Sequence, residues 1–425
     1  MLIGLDASRA NRSHKSGTEW YAYYLIRALA RLDDKNDYIL YTDQPLRAGL
    51  LDLINEQPAD YLIKESRINK GGWQEIISPH HNFKGKVLRW PFKFLWTQGR
   101  LSWEMLAHRP DVLFVPAHAL PIIHPAKSVV TIHDIGFKQV EKLYSQDLIM
   151  SQTRRHYRLF NFLIKTVSRG RYQGSQLDYL RWSTQYALRK AKKIITISHF
   201  SQQELLKYYE ADAKKIKIIY NGYNHRLYQP IIDQTIIQKT LDKYNIKQPF
   251  IFYIGRLEKK KNTDKLVEAF CLLREQCPEI KHKLYLVGDA SYGYDEIKYQ
   301  INEFNLVDEV IMTGWVEEED VPAIFSAAAA FVFPSNYEGF GIPLLQAMAC
   351  QTPIVASRAA SIPEIADEAA LLFNPNDVYD MAEKIAKVIT NHDLRTKLIK
   401  AGQERVKNFS WQKCAQETLE VINSL

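Results

Sequence analysis

Two doubly wound α/β domains, each built on a Rossmann-like parallel sheet, are the fold class this sequence predicts, and three observations predict it. The chain has 425 residues, too many for one ordinary core, and a prior of roughly 150 residues per domain points to two large domains. Short β-rich runs alternate with amphipathic helical stretches throughout, the pattern of parallel sheets covered on both faces. A proline-bounded segment, RLYQPIIDQTIIQKTLDKYNIKQP (226–249), divides the strand candidates into two sets.

The first set comprises LIGLDAS (2–8), DYILYT (37–42), DYLIK (60–64), DVLFVPA (111–117), SVVTIHD (128–134), KIITIS (193–198) and KIKIIYNG (215–222). The second comprises PFIFYIG (249–255), KLYLVGD (283–289), EVIMTGW (309–315), AFVFPS (330–335), PIVAS (353–357) and ALLFNP (370–375). Each set suffices for its own doubly wound sheet, with ligands expected beyond the carboxyl ends of the strands. The expected domains are 1–230 and 231–408, followed by a helix at 409–425. The dividing segment reads as a linker carrying one helix.

Composition narrows the function classes. The apolar fraction of 46% and charged fraction of 24% belong to a folded globular protein. The N-terminus, MLIGLDASRA, reads as a buried strand, not a signal peptide. The longest nearly apolar window, Ala323 to Pro334, falls short of the roughly 20 residues that span a bilayer. Cys271, Cys277, Cys350 and Cys414 show no metal-ligand or framework spacing and read as reduced thiols of a cytoplasmic protein.

Charge is uneven along the chain. Residues 1–230 hold 35 Lys and Arg against 20 Asp and Glu, whereas the remainder holds 21 against 28. An anionic partner is therefore expected on the first half. Two stretches interleave cations with aromatic residues, FKGKVLRWPFKFLW (83–96) and RRHYRLFNFLIKTVSRGRY (154–172). Such composition suits the inner face of an anionic membrane, single-stranded nucleic acid, or a packed helix with one solvated side.

Candidate site residues sit where strands end. After 249–255 comes GRLEKKKN, with Arg256 at the strand end and Lys261 before a helix that starts near Asn262. Two cations at a helix N-terminus suit a diphosphate, Arg as a fork of donors and Lys as a point charge. EKKK taken alone also fits a solvated basic turn. After AFVFPS comes EGFGIPLLQAMA, an exposed acid, Glu338, opening a loop with Gly339 and Gly341 ahead of Pro343 at an expected helix start. The glycines allow backbone amides close to a ligand, while a carboxylate there accepts from sugar hydroxyls better than it tolerates phosphate. An ordinary strand-to-helix turn would look similar.

In the first half, Gly17 and Thr18 open an amphipathic helix, where Thr18 serves either ligand binding or a plain helix cap. His133 and Asp134 close a buried strand, an imidazole beside a carboxylate that can orient a hydroxyl or simply be a satisfied core histidine.

Together the motifs GTEW, DVLFVP, VVTIHD, IITISHFSQQEL, IKIIYNGYN, GRLEKKKN, TGWV, FPSNYEGFGIPLLQAMA and IPEI, in this order, resemble the retaining glycosyltransferases of family four. They span nearly the whole chain. The resemblance implies the GT-B architecture, two Rossmann-like domains facing a cleft, with the acceptor on the first domain and the nucleotide sugar on the second. The terminal helix would cross back to the first domain. Arg256 and Lys261 would clamp the diphosphate, Glu338 would contact sugar hydroxyls, and Phe340, Gly341 and Ile342 would offer backbone contacts. The loop at Gly17 and Thr18 would close over the diphosphate, Val316 would lie by the nucleobase, and His133 by the reacting carbon.

In the family no base beyond the donor phosphate is needed, and the anomeric configuration is retained. The expected donor is GDP-mannose or UDP-glucose, with no cofactor, no metal and no nucleic acid. The acceptor would be a glycan or a lipid-linked glycan in envelope or exopolysaccharide synthesis, handled by a cytoplasmic protein peripheral to the inner membrane face. No Asp-x-Asp triplet occurs in the chain.

Two positions depart from the pattern. Gln346 stands where the family has a second Glu, which bears on the ribose contact, and Asn224 where it has an Asp. The first departure keeps a weakened, scaffold-like transferase in view. A nicotinamide enzyme is disfavoured because no strand leads into GxGxxG; VGDASYG (287–293) lacks the spacing. An RNA-binding module would leave the acid and histidine at the strand ends without a role.

Overall fold

A computed structural model describes residues 1–55, 67–91, 96–139 and 176–425. The strand candidate at 60–64, residues 92–95 and the basic stretch 154–172 lie outside the described residues. The molecule divides into two compact units. The first takes residues 1–138, the described residues up to Asn221 and, discontinuously, Trp411–Leu425; the second runs from Gly222 to Ser410.

Among the described residues of the first unit eight strands form one sheet: β1 (Leu2–Asp6), β2 (Asp37–Thr42), β3 (Trp73–Glu75), β4 (Phe83–Val87), β5 (Val112–Val115), β6 (Ser128–Ile132), β7 (Lys193–Thr196) and β8 (Ile216–Ile218). Their order is β3-β4-β2-β1-β5-β6-β7-β8, parallel except for β3 against β4. Buried runs such as Val112–Val115 and Ser128–Ile132 explain why these strands lie inside, covered on both faces.

The start of the stretch 83–96 does not carry a cationic surface. Phe83 is buried and stacks on Tyr38 at 4.2 Å between centroids. Lys86 points inward, where its Nζ lies 2.7 Å from the buried Glu104 and over the Trp73 ring. Lys84 and Lys86, two residues apart, share a face of the strand; Lys86 is covered there by Trp73 and Glu104 while Lys84 stays exposed, so only part of the stretch is a solvated face.

The last helix, Trp411–Asn423, completes this unit. Trp411 stacks on Tyr24 at 5.6 Å and meets the edge of Tyr21, both on the helix Gly17–Leu32. Asn36 donates to Asn423 near its far end.

The second unit has a six-stranded parallel sheet: β9 (Phe250–Ile254), β10 (Lys283–Val287), β11 (Val310–Gly314), β12 (Ala330–Phe333), β13 (Ile354–Ser357) and β14 (Ala370–Phe373). The order is β11-β10-β9-β12-β13-β14. Its core gathers Ile251, Tyr253, Leu286 and Val332 from the sheet with Leu266, Phe270 and Leu273 from the helix Thr263–Gln276 and Met381 and Ile385 from Val378–Thr390. The dividing segment carries its one helix at Gln234–Lys243, capped by Asp233.

Candidate active site

Strand order fixes where each unit can hold a ligand. In the second unit β9 comes first and sits centrally; β10 and β11 add on one side, β12 to β14 on the other. The strand order switches direction between β9 and β12, the point at whose carboxyl ends a doubly wound sheet places its ligand crevice. Arg256, Lys261, Glu338, Phe340 and Gly341 fall on the connections that leave these two strands, and Ile342 opens the helix that follows the second.

The loop after β9 turns through a short 3₁₀ segment, Lys259–Lys261, and Asn262 in the left-handed region (φ 60°) before the helix Thr263–Gln276 begins. Asn262 is buried, and its amide donates to the Pro375 carbonyl at 2.9 Å, which holds the turn against the neighbouring loop. The three lysines divide their roles. Lys259 pairs with Glu296 at 2.7 Å and Lys260 with Glu258 at 3.3 Å. Lys261 reaches across to Glu338, Nζ to Oε1, at 2.5 Å. EKKK is thus a turn whose cations are individually paired, not a plain solvated run.

Glu338 was expected to be exposed, and it is not. Its side chain keeps 14% of its surface and that of Lys261 19%, because the two loops pack together through this ion pair and through Asn336 N–H to the Lys260 carbonyl at 3.0 Å. Arg256 stays exposed, and its guanidinium makes no ion pair among the described residues. Its carbonyl accepts from Tyr253 at 2.9 Å, which anchors the backbone while leaving the fork of donors outside.

Gly341 caps the following helix at φ 98°, a conformation that strains any L side chain. That helix, Ile342–Ala349, starts one residue earlier than expected, so Pro343 occupies its second position and Gln346 its fifth. Gln346 therefore lies in the second turn, half-buried, beyond the turn where the helix dipole acts most strongly. Phe340 is buried with its ring edge on Phe409. Val316 is also buried, just after β11, two strands from the crevice.

Two serines were not singled out from sequence and hold this loop. Ser361 donates to the Glu338 carbonyl at 2.9 Å and to that of Phe340 at 3.2 Å, and Ser357 to Ser335 at 2.5 Å. Ser357 ends β13 and Ser361 follows it by four residues, small hydroxyl residues at a strand end, which is the signal by which they are found.

In the first unit the crossover lies between β1 and β5. Gly17 and Thr18 start the helix Gly17–Leu32, where Gly17 is exposed. Its cap is Ser16 rather than Thr18: the Ser16 N–H and hydroxyl both donate to the Glu19 carboxylate. Glu19 also pairs with Arg9 at 3.3 Å.

His133, one residue beyond β6, is buried against the face-to-edge contact of Tyr21 at 4.6 Å. Its hydrogen-bond partner is not Asp134, which instead accepts from Gly136 N–H. Nε2 lies 3.1 Å from the Pro116 carbonyl, which can only accept, so Nε2 carries the proton and Nδ1 is the ring's acceptor. Burial, reinforced by the nearby His118, pushes His133 down to about 4, so the ring is neutral at pH 7. His118, which sequence reasoning passed over, stands just beyond β5 with its ring centroid 5.6 Å from that of His133 and its Nδ1 buried without a hydrogen-bond partner. Asp6 at the end of β1 is likewise raised by burial, although Ser8 N–H and Trp96 donate to it. Thus the structure gathers most of the named residues on the second unit, while Gly17, Thr18 and His133 belong to the first.

Residues 15–227 match the family model described as Glycosyltransferase Family 4, and residues 236–405 the one described as Glycosyl transferases group 1. The O-antigen chain mannosyltransferase B of Escherichia coli is 32% identical over 252 residues, 59% of this chain and 65% of that protein. Mannosylfructose-phosphate synthase of Agrobacterium fabrum is 28% identical over 246 residues, 55% of this chain and 53% of the relative. The chain thus spans between half and two thirds of the length of these two relatives. Among solved structures, sucrose-phosphate synthase of Thermosynechococcus elongatus has a TM-score of 0.69 at 20% identity, covering 100% of this chain and 98% of its own. Anabaena HepE, solved with UDP-glucose, has a TM-score of 0.67 at 19% identity, covering 100% and 99%. These neighbours share the GT-B fold of two Rossmann-like sheets. With one family model covering half of the chain and the other most of the second unit, the chain belongs to Glycosyltransferase Family 4.

Proposed function

We propose that the chain is a retaining hexosyltransferase that moves a mannose- or glucose-type sugar from a nucleotide-diphosphate sugar to a glycan or lipid-linked acceptor. The observation that carries this reading is the Lys261–Glu338 pair beside the exposed Arg256, at the carboxyl ends of β9 and β12. An ammonium has three donors, so Lys261 can keep Glu338 and still reach a phosphate oxygen. Arg256 adds a fork of donors, and the two cations offset the charge that develops on the leaving diphosphate in place of a metal ion. Glu338 accepts from sugar hydroxyls, the Gly341 cap brings the first amides of the helix Ile342–Ala349 close to the ligand, and Val316 borders the base. In the retaining reaction the acceptor oxygen bonds to the anomeric carbon as the bond to the diphosphate breaks, and a donor phosphate oxygen takes the acceptor's proton. The names of the relatives, a mannosyltransferase and a protein solved with UDP-glucose, support GDP-mannose and UDP-glucose as donors to try first.

Calorimetry and donor hydrolysis with GDP-mannose and UDP-glucose, in EDTA, test the proposal on purified protein. One donor is expected to bind and to be hydrolysed slowly without added metal. Binding of neither defeats the reading, and hydrolysis that EDTA abolishes and magnesium restores defeats its metal-free part. Gln346 favours one other reading, a weakened transferase acting as a glycan-binding or scaffold subunit; a donor that binds yet is never hydrolysed nor transferred would select it.

A further inference from the structure

The exposed side chain of Arg256 emerges where two neighbouring strands kink together. β9 and β10 pair from Phe250 with Lys283 to Ile254 with Val287, and the same register returns in the bridge of Leu257 with Ala290. Between these points each strand passes through a glycine in a conformation that L side chains rarely adopt, Gly255 at φ 154° and Gly288 at φ 136°. A methyl on Gly288 would lie 2.0 Å from the Gly255 carbonyl oxygen, so only a glycine lets the two kinks nest. Arg256 directly follows the first of them.

The peptide between Arg256 and Leu257 is held at both of its polar groups. Leu257 N–H donates to the Asp289 carbonyl at 3.0 Å, and the Arg256 carbonyl accepts from the Tyr253 hydroxyl at 2.9 Å. Tyr253 can reach it because residues two apart on a strand share a face: its hydroxyl passes Gly255, where a methyl would stand 2.9 Å from it. The ring itself is buried in the core with Leu266 and Leu286. Burial, with Glu338 and Glu258 nearby, pushes the phenol up, so it stays protonated and remains a donor. Backbone groups make the ladder between β9 and β10, and the hydroxyl takes no part in it. The dihedral that its bond fixes is ψ of Arg256.

We propose that Tyr253 is a positioning residue, whose hydroxyl holds the Arg256 peptide so that the guanidinium meets the leaving diphosphate. This role rests on Arg256 binding the diphosphate as proposed above. An arginine has many rotamers, and a fixed backbone removes part of the search that the ligand would otherwise have to restrict. A buried residue that touches no substrate thereby raises both affinity and rate. The same hydroxyl at a strand whose end carried no functional side chain would contribute to stability alone.

Calorimetry of the full chain with GDP and with UDP tests the proposal in a double-mutant cycle. Tyr253→Phe keeps the ring and should weaken the nucleotide that the parent binds about fivefold, the equivalent of about 1 kcal/mol. Beside Arg256→Gln, the same change should weaken it by less than about twofold, because the side chain it positions is gone. Replacing Tyr253 by p-aminophenylalanine, which keeps a donor at the end of the ring, should restore most of the lost affinity. Urea midpoints of all variants are measured alongside, since a structural role lowers stability without this coupling. An additive cycle, with the fivefold loss persisting beside Arg256→Gln, overturns the proposal, and so does parent-like affinity in Tyr253→Phe. Either outcome leaves the transferase reading standing. That reading fails separately, when the parent binds neither nucleotide nor its sugar donor, and the positioning role falls with it.

Discussion

The strand ends of the two units solve the same placement problem with different side chains. In the second unit the crevice is lined by ions: Lys261 and Glu338 in direct contact, Lys260 on Glu258, and Arg256 left outside. In the first unit burial pushes His133 and His118 down and Asp6 up, and the Arg9–Glu19 pair lies close to His133. Fixed charges suit a ligand that carries charge through the reaction, whereas neutral acceptors suit hydroxyls, whose hydrogen bonds gain from low local dielectric. The difference shows that a shared sheet topology does not set the chemistry of its edge; the residues one to eight positions past each strand do.

The comparison can be broken first by acid. His133 has a folded pKa near 4 against 6.5 for the free group. The unfolded chain therefore binds the proton first, and stability present above pH 6.5 is lost as pH falls toward 4. The loss from this ring should approach about 3 kcal/mol. Urea midpoints measured at neutral and mildly acidic pH should show it for the parent and show a flatter slope for His133→Asn. A parent midpoint that does not move would mean the ring is charged in the folded state.

Next in size is the ionic edge. Lys261→Ala should lower kcat/KM by about 2 kcal/mol, roughly thirtyfold, and weaken donor binding with it, since one charge-assisted contact is lost in ground and transition states alike. Glu338→Gln should impair sugar transfer far more than nucleotide affinity, and steady-state kinetics with separate nucleotide calorimetry distinguishes the two. Unchanged kinetics for a folded Lys261→Ala would remove this lysine from the site.

A smaller effect is expected at the backbone. A methyl at Gly341 would stand 3.1 Å from Leu344 Cδ1 and 3.3 Å from Phe333 Cε1, at φ 98°. Gly341→Ala should cost about 1.5 kcal/mol of stability in denaturant titration. A neutral result would show that the cap relaxes without penalty.

The smallest expected effect is at Gln346. A glutamate would accept from both ribose hydroxyls where the amide offers one acceptor. Its place in the second turn removes most of the dipole's help. Gln346→Glu should tighten nucleotide binding by only about 0.5 kcal/mol in calorimetry; weaker binding would end the ribose assignment.

The parallel sheets and their strand ends were legible because continuous buried runs such as FIFYI and AFVF admit little else, and loop residues after them inherit a place at the crevice. Pairings between those loops were not. That Lys261 rather than Lys259 or Lys260 meets Glu338 depends on the left-handed turn at Asn262, a backbone choice that three adjacent lysines do not reveal. Which side of Phe83–Val87 its cations take was left open, because the partner of the inward Lys86, Glu104, lies 18 positions away in sequence. The start of the helix Ile342–Ala349 was misjudged by one residue because proline serves at either of the first two positions, and Gly341 decided between them.

The return of Trp411–Asn423 to the first unit has a consequence for how the protein is made. A ribosome delivers the sheet of the first unit long before it delivers the helix that covers Tyr21 and Tyr24. During that interval the apolar side of Gly17–Leu32 lacks its lid, and the second unit is free to fold first. Newly made chains should therefore present a chaperone-binding surface at Tyr21 and Tyr24 until Trp411–Asn423 emerges, so the first unit matures after the second.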